Sequence, residues 1–382
     1  MGIRNQAVVR AALCLAWLFG RNSTIRAEDD VLATQPASAA TQPVELPSNA
    51  SAPAAGYKPM PGPWAVELMG EFLLDDPKRG RPVPLRIRFP RASAARPGPF
   101  PIVIFSHGAG GSGDAFAELS ERWASHGYVV VHPTHSDSIK LRRQRGERID
   151  NLREELSQIT RRVDLFDRRA DVVLILDSLD EIERAIESTD AAEDGRAPDV
   201  RLLDRDRIAI AGHSAGALTA QTMAGVRFYG RGRGGAGRSF ADPRIRAAVV
   251  ISGQGLTRPA FREDSWRDIT IPMLVIAGSR DVTAVSNETP QSRRHPFEYA
   301  SPGDKYLAYI DGATHGSYVG KRTAGAIDED PPDNIDYITD MVGFTTLAFV
   351  DAYLRKESTA RAWLNSDAPS RLAGGRTEFR SK

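Results

Sequence analysis

The stretch Gly212-His213-Ser214-Ala215-Gly216 sets one hydroxyl between two glycines. By this chain's own glycine and serine content such a pattern arises by chance in roughly one chain in six, so its surroundings decide its meaning. The apolar run Ile208 to Ala211 leads directly into it, and a helix-compatible stretch, Ala217 to Ala224, leads directly out. Strand, sharp turn and helix make a nucleophile elbow, in which a strained turn presents the serine oxygen for attack on an acyl carbon. Gly212 and Gly216 supply the room, because side chains there would meet the neighbouring strand and helix. The start of the helix also aims N–H groups and its dipole at the reacting oxygen.

A serine hydroxyl is a weak nucleophile and needs a base, and the charge that develops on the substrate oxygen needs donors. Ser106-His107-Gly108-Ala109-Gly110-Gly111 follows the run Ile102 to Phe105, which puts a glycine-rich turn at the carboxyl edge of the sheet. The expected oxyanion hole is the backbone N–H of Ala215 with that of Ala109 or a neighbour; Gly108 shapes the loop, and His107 orients it rather than acting as base. Asp281 comes shortly after the run Met273 to Ala277, and His315 follows Tyr306 to Ile310. His315 is the expected base and Asp281 the acid that holds its tautomer. Asp304 and Asp311 are rivals for the acid, but they flank the strand that delivers the histidine. His132 and His135 end a strand with no third ligand at sensible spacing, so they read as a polar strand end and no metal site is expected. His126 precedes Gly127 at a helix end, His213 belongs to the elbow, and His295 falls in a loop.

These residues need a scaffold that brings several strand ends together. The runs Ile102 to Phe105, Tyr128 to Val131, Ile208 to Ala211, Ala247 to Ile251, Met273 to Ala277 and Tyr306 to Ile310 alternate with helical stretches. That is the pattern of an α/β fold, with a mostly parallel central sheet and helices on both faces. Alternation from Trp64 to Leu74 and again from Leu85 to Phe89 adds two antiparallel strands at the start. Val172 to Leu176 looks strand-like, but Leu179, Ile182 and Ile186 continue it at helical steps, so it reads as a helix. Asp333 or Asn334 caps a long final helix through about Lys356. The charged segment 134–162, with Ile149, Leu152, Leu156 and Ile159 at helical spacing, reads either as a solvated surface helix or as a cap beside the active-site mouth. The glycine and arginine alternation of 231–238 reads as a loop, since one short stretch makes no basic face for nucleic acid.

With 382 residues, 41% of them hydrophobic, the chain is long enough for one large catalytic domain with extensions. A formal charge of +1 gives no field that would draw nucleic acid or an anionic membrane. Residues 1–27 read as a signal peptide: Arg4 and Arg10 precede a short apolar stretch, Ala11 to Phe19, and no acid occurs before Glu28. That stretch is well short of the ~20 residues of a spanning helix, so no stable membrane span is expected. Its removal takes four arginines and leaves a charge of about −3, with a periplasmic or extracellular destination. Residues 28–62, rich in Ala, Pro, Ser and Thr, read as a disordered linker, 63–365 as the catalytic domain and 366–382 as a disordered tail. Cys14, the single cysteine, lies inside the leader, so the mature chain would hold no thiol for disulfides or nucleophilic work.

Over roughly Trp64 to Leu364 the chain resembles the α/β-hydrolase superfamily. Within it the likeness is nearest to the branch of platelet-activating factor acetylhydrolases, chlorophyllases and dienelactone-hydrolase-like serine esterases. Val103-Ile104-Phe105-Ser106-His107-Gly108 and Trp123 to Val130 are similar to that branch's oxyanion loop and next strand. Gly212-His213-Ser214 and the closing stretch Ala348 to Leu354 are similar as well. The chain order Ser, Asp, His is the superfamily's own. The resemblance implies a serine esterase or lipase-like enzyme with no metal or organic cofactor, taking a small or lipid-like ester. Ser214 stands where a dienelactone hydrolase proper carries cysteine. A peptidase or amidase on the same fold is the alternative reading, and a non-catalytic exported binding protein a third. No oligomeric state is specified by the sequence.

Overall fold

Runs such as Ile102-Val103-Ile104-Phe105 are apolar at every position, which suits strands covered on both faces. A computed structural model describes residues 57, 62–91, 98–189, 201–230 and 235–382. Among these residues one sheet holds nine strands: β1 (Val66–Leu74), β2 (Val83–Pro90), β3 (Phe100–Ser106), β4 (Val129–Pro133), β5 (Leu203–His213), β6 (Ile245–Ile251), β7 (Met273–Arg280), β8 (Lys305–Thr314) and β9 (Thr377–Ser381). Their order is β1-β2-β4-β3-β5-β6-β7-β8-β9. The pairs from β4 through β3, β5, β6 and β7 to β8 are parallel, whereas β1 with β2, β2 with β4, and β8 with β9 are antiparallel. This is the α/β-hydrolase arrangement that the apolar runs predict.

The helices are α1 (Ala117–Ser125), α2 (Ile139–Gln144), α3 (Leu152–Arg162), α4 (Leu165–Asp177), α5 (Leu179–Glu187), α6 (Ala215–Ala224), α7 (His295–Glu298), α8 (Lys321–Ile327), α9 (Ile335–Tyr353), α10 (Ser358–Leu364) and α11 (Ala368–Leu372). Successive strand residues point to opposite faces. Ile102 and Ile104 therefore join one core with α4, α5 and α6, and Val103 and Phe105 join the other with α1, α9 and α10. Each such side chain, wholly removed from water, contributes about 1.5–3 kcal/mol. The helix read at Val172 is present as two, α4 and α5, which meet at Ser178. The long helix expected through about Lys356 is α9, which starts after Asn334 and ends at Tyr353, and it is not the last, since α10 and α11 follow it.

Two expectations need correction. Residues 366–382 are not a disordered tail. They form α11 and β9, and β9 pairs with β8 from Ile310↔Thr377 to Tyr306↔Ser381. An edge strand offers a row of unpaired N–H and C=O groups, and β9 occupies that row on β8. Phe379 anchors it with its ring centroid 6.1 Å from that of Tyr306 and 6.5 Å from that of Trp363. The second correction lies within 28–62, where Tyr57 is docked: its hydroxyl donates to Asp351 Oδ2 at 2.6 Å and its ring meets Trp363. The signal peptide expected at 1–27 and most of residues 28–62 lie outside the described residues. Among the described residues no helix is long and apolar enough to cross a membrane.

Candidate active site

The carboxyl ends of β3, β5, β6, β7 and β8 lie side by side, and each delivers part of one cluster. Ser214 stands between β5 and α6 with φ 55° and ψ −117°, a conformation that side chains rarely adopt. The turn closes only because its flanks are glycine. A Cβ on Gly212 would lie 2.2 Å from the Gly216 carbonyl oxygen, and one on Gly216 would lie 1.8 Å from the Ser106 carbonyl oxygen. The second contact means that the elbow packs directly on the loop after β3.

His315 directly follows β8, and its Nε2 lies 2.9 Å from Ser214 Oγ. Asp281 directly follows β7, is fully buried, and has Oδ1 3.0 Å from His315 Nδ1. A carboxylate only accepts, so this contact puts the proton on Nδ1 and leaves the Nε2 lone pair facing the serine. Asp304 instead receives Arg361 at 2.8 Å, and Asp311 receives the Ser279 hydroxyl at 2.8 Å. Neither rival is bonded to His315.

Three further groups hold Asp281, and nothing in the local sequence announces them. Ser252, at the end of β6 with φ 54°, donates to Asp281 Oδ1 at 3.0 Å and stands 2.8 Å from His315 Nδ1. Tyr318 donates to Asp281 Oδ2 at 2.9 Å. Arg293, only 1% exposed, sets Nε 3.3 Å from Asp281 Oδ1 and donates to the Ser252 and Gly253 carbonyls at 3.0 and 3.1 Å. Burial alone would push the Asp281 carboxyl up, but the Arg293 charge and the bonds from His315 and Ser252 outweigh it and hold it well below the usual carboxylate range. Asp328, which lies beyond α8, fixes the histidine turn by accepting from Gly316 N at 3.0 Å and Thr314 Oγ1 at 2.7 Å.

The loop after β3 runs past the serine: a Cβ on Gly108 would lie 3.6 Å from Ser214 Cβ. Ala109 follows it at the rim, and Ala215 is the first residue of α6, whose opening N–H groups have no carbonyl within the helix to serve. His107 is fully buried under this loop. His213 turns into the core, its Nε2 2.9 Å from the His315 carbonyl oxygen, and burial together with the nearby His315 lowers it to about 3. His132 is buried on Ser120 Oγ at 2.7 Å, and His135 on Ser106 Oγ at 2.8 Å and Asp171 at 2.7 Å, so each ends in a local hydrogen-bond chain. His126 is the C-cap of α1, and His295 opens α7.

Segment 134–162 reaches both walls of the cluster. A Cβ on Gly110 would lie 2.6 Å from Leu156 and 3.1 Å from Ile139, and one turn before Leu156, Arg153 donates to the Asp328 carbonyl at 3.1 Å. Helix α3 thus touches the loop after β3 and Asp328, which braces the turn that carries His315.

Residues 91–251 match the family described as platelet-activating factor acetylhydrolase, isoform II. Cutinase est2 of Thermobifida alba is 27% identical over 213 residues, which cover 56% of this chain and 52% of the relative. Cutinase est1 of the same organism is 26% identical over 215 residues, with the same coverage. The chain thus spans about half the length of the curated relatives it matches. Sheet order, elbow and matches agree: the chain has the α/β-hydrolase fold and is similar to platelet-activating factor acetylhydrolases and cutinases.

Proposed function

We propose that this chain is an exported serine hydrolase that cleaves carboxylic esters with short to medium or lipid-like acyl groups. The observation that carries the reading is the hydrogen-bonded line Ser214 Oγ, His315 Nε2 at 2.9 Å, His315 Nδ1, Asp281 Oδ1 at 3.0 Å, built on a strained elbow. His315 takes the Ser214 proton as Oγ bonds to the ester carbon, and the carbonyl π pair moves to the oxygen. The Ala109 and Ala215 N–H groups receive that oxyanion. The intermediate collapses, the C–O bond to the alcohol breaks, and His315 returns the proton to the leaving oxygen. Water activated by the same imidazole then releases the acid from Ser214. His107, Gly108, Gly212 and Gly216 support the elbow and the oxyanion loop.

In this reading residues 1–27 direct export, and segment 134–162 is the cap over the acyl pocket. The contacts of Ile139, Leu156 and Arg153 with the two walls support the cap. Arg142 is taken up by Glu147 and Glu155 and Arg145 by Glu147, which leaves Arg143 as the best placed of the three to meet a polar head group. The test is hydrolysis of p-nitrophenyl esters of graded chain length beside an aminoacyl anilide, with wild type and Ser214→Ala. Ester turnover that Ser214→Ala lowers by about a million-fold supports the reading, and faster release of the anilide refutes it. N-terminal sequencing of secreted protein tests export: a start near Glu28 is expected, and retention of Met1 in a cytoplasmic fraction refutes it.

A further inference from the structure

The loop after β3 is a four-residue turn, Gly108-Ala109-Gly110-Gly111, closed by Gly111 N donating to the Gly108 carbonyl at 3.1 Å, with Gly110 at φ 72°. Its polar groups are shared out by three side chains, Arg168, Asp137 and His107. Arg168 on α4 is 1% exposed and donates to the His107 carbonyl at 2.6 Å and to the Gly108 carbonyl at 3.2 Å. Asp137, which binds the other edge of that guanidinium at 3.0 and 2.8 Å, accepts the Gly110 N–H at 3.0 Å. His107 Nε2 accepts the His135 N–H at 3.0 Å, which places the ring proton on Nδ1, 2.6 Å from the Gly108 carbonyl oxygen. Burial and the Arg168 charge hold His107 well below its ordinary value, as that neutral tautomer requires.

The consequence falls on a single peptide unit. The Gly108 carbonyl oxygen is held from beneath by His107, Arg168 and Gly111 N, and that peptide is trans, so its N–H, which is the N–H of Ala109, points the opposite way. Gly110 N is bound to Asp137 and Gly111 N to Gly108, and among the described residues the Ala109 N–H has no acceptor. It is the amide the turn leaves for a substrate.

We infer that Arg168 and His107 are positioning residues that lock the Gly108–Ala109 peptide in the orientation that makes Ala109 an oxyanion donor before substrate arrives. The inference rests on the esterase reading above. It goes beyond that reading by giving a function to a buried arginine, 46 positions before the serine, that touches no reacting atom. Without the clamp the peptide can rotate, turning a carbonyl oxygen toward the developing negative charge. The residues act on the transition state and not on substrate binding.

The test compares three single variants by kcat, KM and the affinity for 1,1,1-trifluoro-2-heptanone, alongside melting curves. Ser214 Oγ adds to that ketone's carbonyl carbon, the π pair moves to oxygen, and the serine proton passes to His315, so the adduct reports the oxyanion hole directly. Arg168→Lys keeps a charge but lacks the fork that spans two carbonyls and Asp137. It should lower kcat and ketone affinity by the same factor, about ten- to a hundredfold, with KM changed by less than about twofold. His107→Gln removes the donor at the Nδ1 position and should behave likewise. His107→Asn, whose amide reaches that position, should recover about tenfold or more of the loss. If Arg168→Lys does not fold, the His107 pair decides. Folded variants with unchanged kcat and ketone affinity, or with a loss confined to KM, overturn the inference while leaving the esterase reading intact. A wild type that neither turns over esters nor binds the ketone overturns both.

Discussion

Replacing Asp281 by asparagine removes one charge from a site where the partner charge is equally buried. Asp281 is 0% and Arg293 1% exposed, with 3.3 Å between Nε and Oδ1. Two effects follow, and they are separable. Catalysis suffers because an amide nitrogen can face His315 Nδ1 and turn the imidazole to the tautomer that cannot take the Ser214 proton, a change expected to lower kcat about ten-thousand-fold. Stability suffers because Arg293 is left as a buried charge without its carboxylate, and breaking such a pair by removing one partner costs about 3–5 kcal/mol. For a domain of this size that is a fall in melting temperature of about 10 °C. The second variant, Asp281→Asn with Arg293→Gln, removes both charges and should regain most of the melting temperature while kcat stays low. Initial rates on p-nitrophenyl butyrate and thermal unfolding followed by circular dichroism measure the two effects. Asp281→Asn retaining more than about a tenth of kcat would refute the assignment of the acid. A double variant that regained kcat together with stability would show that the loss was one of folding.

Gly216→Ala should abolish activity and destabilise the fold by several kcal/mol, since its Cβ would stand 1.8 Å from the Ser106 carbonyl oxygen; a stable, active Gly216→Ala enzyme would contradict the packing of the elbow on the loop after β3. Acid should unfold the protein early. His132 and His213 are both lowered from 6.5 to about 3, so below pH 6.5 the unfolded chain binds protons that the folded chain refuses. Stability therefore falls as pH drops from 6.5 toward 3, by about 3 kcal/mol per pH unit for the pair, and urea midpoints unchanged between pH 7 and 4.5 would refute it. Truncation after Gly375 removes β9 and bares the β8 edge, which should lower the melting temperature and promote association; an unchanged melting curve and a monodisperse truncated protein would argue that β9 is dispensable.

What could be read in the sequence is what is local. The six parallel strands are unbroken apolar runs because both faces of the sheet are covered, and α4 and α5 betray themselves by three- and four-residue steps despite the strand-like Val172 to Leu176. Ser214 is marked by its flanking glycines and by the elements on either side. Asp281 and His315 are marked only by position, each just beyond a strand, and the structure brings them within 3.0 Å of one another. Ser252, Arg293 and Tyr318 escaped because each meets Asp281 from a different element and none sits in a recognisable pattern. A buried arginine such as Arg168 or Arg293 is, in sequence, one of many arginines, and only the fold separates it from a solvated one. Strand β9 escaped because Thr377-Glu378-Phe379-Arg380-Ser381 carries one large apolar residue, and its order comes from the edge it pairs with rather than from its own pattern. Tyr57 escaped because it stands in a stretch poor in large apolar residues, and the buried Asp351 that holds it lies 294 positions away.

Ser214 is the proposed nucleophile. Its most direct test is reaction of the purified protein with a fluorophosphonate, followed by peptide mapping with mass spectrometry. Serine oxygen displaces fluoride from phosphorus in that reaction, with loss of the hydroxyl proton, so the label marks the activated hydroxyl itself. One adduct per chain is expected, on Ser214, formed at the rate at which ester hydrolysis is lost, and none in Ser214→Ala or in protein unfolded beforehand. An adduct on another residue, or full ester hydrolysis by protein carrying the label on Ser214, would contradict it.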